Sequence, residues 1–229
     1  MNKNFLKKYL ETLGASLVGF ADLRDIDIEA RKSMDYGISF GIKLNTKIIR
    51  EIEYGPTKEY WEEYKRINNA LDEIAIACVS YIENLGYDAI GQTSTYVTSD
   101  DNLATLLPHK TVATRAGLGW IGKNALLITP EYGSAIRISS VLTNMPLETN
   151  SPINESRCGR CEKCRLSCPA ETIKGQLWNI KLERDELINP FSCRQKAREL
   201  SKEQVGAEIS LCGKCIEVCP FTQRYISNY

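Results

Sequence analysis

The chain has little that would place it in a membrane, in a secretory pathway or on a nucleic acid. No uninterrupted apolar run approaches the ~20 residues needed to span a bilayer. The start, MNKNFLKKYL, lacks the apolar core of a signal peptide, so the expected location is the cytoplasm, with no membrane association. There are no repeats and no low-complexity tracts. Neither charge is in excess: 29 Lys and Arg face 29 Asp and Glu among 229 residues, which argues against a basic nucleic-acid-binding domain. Histidine is almost absent, His109 being the only one. At 43% apolar and 25% charged residues, the composition is that of an ordinary globular protein.

What is present is cysteine, nine residues in all. Cys158-Gly-Arg-Cys161-Glu-Lys-Cys164-Arg-Leu-Ser-Cys168-Pro169 follows the C-x2-C-x2-C-x3-C-P pattern of proteins that carry two [4Fe–4S] clusters, in which the fourth cysteine serves the other cluster. Three thiolates on a tight turn take three corners of one cube, and the fourth, ahead of a proline, points elsewhere. A second run, Cys212-Gly-Lys-Cys215-Ile-Glu-Val-Cys219-Pro220, ends the same way but has Ile209 where its first cysteine belongs. Cys193 fills that vacancy. The expected ligand sets are Cys158, Cys161, Cys164 and Cys219 for cluster one, and Cys168, Cys193, Cys212 and Cys215 for cluster two. Zinc prefers two C-x2-C pairs, and disulfides suit a short secreted chain; both fit this pattern less well. The ninth cysteine, Cys78, lies on the apolar stripe of a helix and reads as a core residue.

Residues 158–229 hold 12 Lys and Arg against 9 Asp and Glu. An oxidised four-thiolate cluster is anionic, and Arg160, Lys163, Arg165 and Lys214 read as its neutralising cations. So many thiolates also imply a reducing compartment.

The remainder reads as α+β. A short helix over 4–13 ends at Gly14, and strands follow over 15–21 and 36–44. Pro56 precedes the longest helix, 58–85, whose Tyr64, Ile67, Leu71, Ile74, Cys78, Tyr81 and Leu85 make one apolar face. Tyr60, Trp61 and Tyr64 read as packing residues. A strand is expected over 86–90, a polar loop over 91–102, a helix over 103–116 broken by Pro108, and a hairpin pairing 125–129 with 134–143. Gly117-Leu-Gly119-Trp-Ile-Gly122 satisfies G-x-G-x-x-G as a string. A dinucleotide fingerprint must follow a strand and open a helix, and here the order is reversed. The glycines still require a sharp turn or a close approach. Met145 to Arg157 reads as a linker. The expected domains are 1–150, α+β, and 151–229, a small ferredoxin-like domain held by its clusters and expected to unfold without iron.

Ala116-Gly-Leu-Gly-Trp-Ile-Gly-Lys-Asn124, Gly133-Ser134, Leu142-Thr143 and the cysteine order together resemble the epoxyqueuosine reductases, over about residues 87–222. That resemblance implies a cobalamin, held base-off between an α+β domain and a two-cluster domain, a logic shared with reductive dehalogenases; the clusters would pass electrons singly to cobalt. It implies corrinoid contacts at Gly117, Gly119, Trp120, Gly122, Lys123, Asn124 and Ser134. It also implies a general-acid Asp fourteen residues before Gly117, where this chain has Leu103; the near neighbours Asp100 and Asp101 become the catalytic candidates, with His109 beside them. Their ordinary role would be to cap a helix beginning at Leu103, and a lone histidine is more often structural. The family's Gly-Glu pair is Ser139-Ser140 here. The chain stops ten residues after Cys219, without the helical-repeat domain that grips transfer RNA in those enzymes, which argues against tRNA as substrate.

The expected protein is a short, epoxyqueuosine reductase-like iron–sulfur oxidoreductase, reduced by a ferredoxin or flavodoxin-like donor and acting through a corrinoid on a small molecule or a corrinoid protein. Two other readings stand beside it: an electron-transfer module serving another protein's cofactor, and a truncated tRNA-modifying enzyme.

Overall fold

The computed structural model describes residues 3–93 and 101–228. In chain order the elements are α1 (Lys3–Thr12), β1 (Leu17–Asp22), β2 (Tyr36–Lys43), α2 (Thr46–Glu51), α3 (Lys58–Glu83), β3 (Ala89–Gln92), α4 (His109–Arg115), β4 (Trp120–Ile121), β5 (Leu127–Ile128), β6 (Ile136–Thr143), α5 (Lys163–Leu166), α6 (Arg184–Leu187), α7 (Pro190–Gln204), α8 (Lys214–Glu217) and α9 (Pro220–Ser227). The class is α+β, as expected. The chain forms two compact units. One is built from Met1–Ile42, Ile67–Gly119 and Arg137–Ile153; the other from Lys43–Arg66, Trp120–Ile136 and Asn154–Tyr229. The cysteine-rich segment also draws on two earlier stretches, because its own sequence offers too few large apolar side chains to bury a core.

The first unit is a four-stranded sheet of order β1-β2-β6-β3. β1 runs antiparallel to β2, with Phe20 opposite Ile38, and β3 antiparallel to β6, with Ile90 opposite Leu142. Helix α4 lies close on this sheet because Gly19 and Gly37 have no side chains. A Cβ on Gly19 would sit 2.7 Å from the Ala116 carbonyl, and one on Gly37 2.8 Å from Val112 Cγ1. The seam buries Ala21, Leu23, Leu107, Val112, Ala116 and Leu142. From α3 come Ile67, Leu71, Ile74, Cys78 and Ile82, all buried. Leu85 and Tyr64 fall off the expected stripe: the helix ends at Glu83, so Leu85 lies in solvent while Ile82 takes the inner position, and Tyr64 is only half-buried. Cys78 is core, and burial pushes its thiol up to about 12, which keeps it protonated and inert.

Two local expectations fail for identifiable reasons. The helix expected from Leu103 begins at His109: Pro108 is extended at the N-cap, and Leu103 takes φ +57, outside any right-handed helix. Residues 125–129 do not pair with 134–143. β5 pairs with β4 instead, Trp120 opposite Ile128, while β6 joins the four-stranded sheet. The 130–133 turn is closed only by a bridge between Thr129 and Gly133.

In the second unit the β4–β5 hairpin, α2, the first turns of α3 and the C-terminal segment share a core. Arg50 donates to the Ile226 carbonyl at 2.6 Å and the Tyr225 hydroxyl to the Leu44 carbonyl at 2.8 Å. Tyr60 is buried, as expected. Gly213, at φ +86, brings the second cysteine run so close that a Cβ there would lie 2.5 Å from Ile52 Cδ1 and 3.0 Å from Tyr60 Cε1.

Candidate metal centre

Four cysteines from opposite ends of the C-terminal segment line one recess. Cys158, Cys161, Cys164 and Cys219 bound it together with Lys123, Asn124, Ile128, Pro220 and Phe221, enclosing about 370 Å³ including its mouth. The first three arrive on a tight loop, in which Gly159 takes φ +53 and the Cys161 amide donates to the Cys158 carbonyl at 3.2 Å. Cys219 is the N-cap of α9, where Pro220 at the first helical position needs no amide partner. Burial pushes the Cys219 thiol up, against the opposing pull of the Thr222 and Phe221 amides and the Thr222 hydroxyl, all of which donate to its sulfur. These donors suit a thiolate. Cys164 is pushed up to about 11 by burial first and then by Cys158, Cys219 and Cys161, the effect of like groups converging in a partly buried place.

The other four gather separately. Cys193 sits in the first turn of α7, whose N-cap Asn189 accepts from the amides of Phe191 and Ser192, both at 3.1 Å. Burial raises the Cys193 thiol, followed by its neighbours Cys168 and Cys212. Cys215 is raised by burial, then by Cys212, Cys193, Cys164 and Cys168 in turn. The two groups therefore approach each other through Cys164 and Cys215. None of the nine cysteines, all among the described residues, is in a disulfide. Among the described residues no three Cys, His, Asp or Glu converge on the single point a lone metal ion would occupy; zinc draws its sulfurs to about 2.3 Å, whereas these thiols ring a recess.

The glycine stretch meets the cysteines here. Gly122 closes the β4–β5 turn, its amide donating to the Leu126 carbonyl at 2.9 Å, and a Cβ would lie 2.4 Å from Ile128 Cδ1. The turn sends out two polar side chains. Lys123, only 5% exposed, ion-pairs with Glu162 between Cys161 and Cys164. Asn124 Nδ2 donates to the Cys215 carbonyl at 3.2 Å, and its Oδ1 accepts from the Leu126 amide. One turn thus holds a loop of each cysteine group. Trp120 is buried edge-on to Phe221, ring centroids 4.9 Å apart at 76°, with the Arg157 guanidinium 5.6 Å from its ring. Lys123 is therefore neither solvated nor isolated. Gly133 and Ser134 pack against α9: a Cβ on Gly133 would stand 2.2 Å from the Thr222 amide nitrogen, and the Ser134 amide donates to Thr222 Oγ1 at 3.1 Å. Glu162, beside Cys161, and Thr222, three residues after Cys219, carry no other signal in the sequence.

In the first unit Gly117, at φ +68, approaches the Ser151 carbonyl so closely that a Cβ would be 2.6 Å away. Gly119 ends the middle stretch of that unit. His109 opens α4, its Nδ1 2.9 Å from Ser140 Oγ. Burial, helped by the Arg137 cation and opposed by Asp72, pushes it down to about 4, so at neutral pH it is an uncharged imidazole. Asp101 is exposed in a turn; with no helix at Leu103 it has no helix there to cap. Asp100 lies outside the described residues.

Residues 157–222 match the family described as 4Fe-4S double cluster binding domain. The segment carries the double-cluster pattern. Among curated relatives, the epoxyqueuosine reductase of Listeria monocytogenes is 34% identical over 119 residues, 49% of this chain and 29% of that protein. That of Bacillus subtilis is 34% identical over 119 residues, 51% of this chain and 30% of the relative, and that of Synechocystis 30% over 122, 52% and 41%. The matched stretch thus spans well under half of each. The fold is shared more widely than the sequence. An epoxyqueuosine reductase solved with a tRNA-Tyr stem loop superposes over 96% of this chain and 65% of its own, with TM-score 0.64 and 21% identity. A catabolic reductive dehalogenase solved with 3-bromo-4-hydroxybenzoic acid covers 95% of this chain and 31% of its own, at TM-score 0.72 and 19% identity. The expected resemblance to epoxyqueuosine reductases holds, and the likeness of fold reaches the N-terminal part. No described helix is long and apolar enough to cross a membrane.

Proposed function

We propose that the chain is a reductase in which Cys158, Cys161, Cys164 and Cys219 hold one [4Fe–4S] cluster and Cys168, Cys193, Cys212 and Cys215 the other, the pair passing single electrons to a corrinoid. The observation that carries this is the sorting of eight cysteines into a recess ringed by the first four and a neighbouring group made of the second four. The donor set fits the clusters: thiols only, partly buried, with amide and hydroxyl donors already directed at Cys219.

A corrinoid has an amide-fringed rim, and Trp120 Nε1 is a buried donor with no hydrogen-bond partner, suited to hold such a rim. When bound, a corrinoid supplies a cobalt centre that accepts electrons one at a time. The chain's own residues do the rest. Lys123 and Asn124 keep both cysteine loops in register, Phe221 and Trp120 exclude water beside Cys219, and Asp100 or Asp101, the carboxylates nearest Leu103 in sequence, delivers the proton. Residues 1–150 serve as the corrinoid and substrate domain and residues 151–229 as the cluster domain. The substrate is a small molecule or a corrinoid protein, and the electron donor a ferredoxin or flavodoxin-like protein.

The test is an anaerobic spectral titration of free cobalamin with the iron-loaded chain. The cobalt bands are expected to shift on adding protein, and reduced clusters to reoxidise when cobalamin is supplied. Unshifted bands at saturating protein would refute the corrinoid and leave an electron-transfer module. Transfer RNA is the second reading, favoured by the match to epoxyqueuosine reductases, one of which is solved with a tRNA stem loop. Retention of a stem loop at moderate as well as low salt would establish it.

A further inference from the structure

We propose that the exposed turn carrying Leu166 is the docking surface for a small acidic one-electron carrier protein, which loads the clusters there; this rests on reading the eight cysteines as ligands of two clusters. Leu166 ends α5 at 78% exposure. It lies two residues from Cys164 and two from Cys168, so its Cα is within about 7.6 Å of each. Those cysteines belong to different groups of four. A partner seated on Leu166 therefore comes close to both clusters at once.

The charge around it is predominantly positive, although Glu171 is exposed too. Residues 157–175 contain five cations and two carboxylates. One carboxylate, Glu162, is already engaged by Lys123 and, at 3.3 Å, by Arg165. Arg160, Lys163 and Lys174 are exposed, and Arg165 is 45% exposed. Cations serving the clusters' own charge would be buried, as Lys123 is, because exposed charges are screened beyond about 8–10 Å. Cations in water act on an approaching surface, and they raise its arrival rate. An apolar residue amid such charges suits the small, transient interfaces of electron carriers, typically below about 1,200 Å². Each encounter moves one electron from reduced carrier to oxidised cluster, with no bond made or broken. A nucleic acid is the less favoured occupant, since the chain as a whole carries no net positive charge.

The experiment follows bleaching of the iron-loaded full chain by stopped flow, using either a reduced acidic two-iron ferredoxin or dithionite, which needs no docking. With ferredoxin the wild-type rate is expected to fall steeply with salt. Lys174→Glu, and separately Leu166→Asp, are expected to slow that rate about threefold or more while leaving iron content and the dithionite rate unchanged. The proposal is overturned if the variants keep the wild-type ferredoxin rate, if both reductants slow equally, or if the variants lose only tRNA stem-loop binding. A wild-type chain that takes up no iron fails with dithionite too, and overturns the cluster reading together with the docking surface.

Discussion

Lys123 and Glu162 meet across 39 residues of sequence, the amine buried at 5% exposure and the carboxylate, at 35%, standing between two cysteines of the same recess. The turn after β4 thereby clamps the loop that carries Cys158, Cys161 and Cys164. Glu162→Gln leaves the Lys123 ammonium buried without its charge partner, and should destabilise the iron-loaded chain. Lys123→Met with Glu162→Gln should recover most of that loss. Denaturant unfolding of the iron-loaded proteins measures both, and equal losses in the single and double variants would show that the pair holds nothing.

Thr222 donates its hydroxyl to Cys219 and accepts the Ser134 amide. Hydrogen bonds to cluster sulfurs raise the reduction potential. Thr222→Val is expected to lower the midpoint of one cluster and leave the other unmoved, while Thr222→Ser retains the wild-type value. An EPR-monitored redox titration decides it.

Gly133 combines φ +59 with backbone 2.2 Å from any Cβ. Gly133→Ala should therefore cost about 3 kcal/mol or more, from the left-handed conformation and the overlap with α9 together. Ala125, at φ +59 in the turn after Asn124, is the opposite case. Ala125→Gly should be neutral or stabilising by up to about 1 kcal/mol. Thermal melts of the two variants should move in opposite directions or differ by several degrees.

His109 is held down to about 4 by burial first, then by Arg137, against an ordinary value near 6.5. Its unfolded form therefore binds a proton at a higher pH than its folded form. Stability is complete above about pH 6.5, falls as the pH drops from there toward 4, and levels off below. The loss amounts to roughly 3 kcal/mol. His109→Gln should flatten that part of the stability–pH curve, measured by denaturant midpoints, and should leave no titration between pH 6.5 and 8 to be lost.

Cys193→Ser removes a thiolate from the second group and should lower bound iron from about eight toward four per chain. Cys78→Ala should leave iron unchanged, because that thiol is buried and pushed up to about 12, and should cost about 1 kcal/mol of packing. Iron analysis after anaerobic purification separates the two; equal iron in both variants would refute the assignment of Cys193.

Spacing alone made the cysteine groups legible. Cys158 to Cys168 are close neighbours in sequence, and a metal-bearing turn allows few spacings. Helix α3 and strands β1 and β2 were legible for a similar reason, since their apolar periodicity is local. Where Lys123, Asn124, Trp120 and Ser134 would go was not. Their partners Glu162, Cys215, Phe221 and Thr222 lie 39 to 101 residues further along, and nothing in the intervening sequence records that they meet. The β4–β5 pairing was hidden because two-residue strands have no periodicity to detect.

By itself the sequence determined the kind of chemistry, since eight cysteines in that order leave little else to build, and it determined the α+β class through residue patterns repeating within single elements. Only the tertiary structure decided that the glycine-rich turn braces the cysteine loops and that the C-terminal segment borrows residues 43–66 and 120–136 for its core. The reason is physical: local periodicity depends on neighbours in the chain, whereas burial and ion pairing depend on neighbours in space.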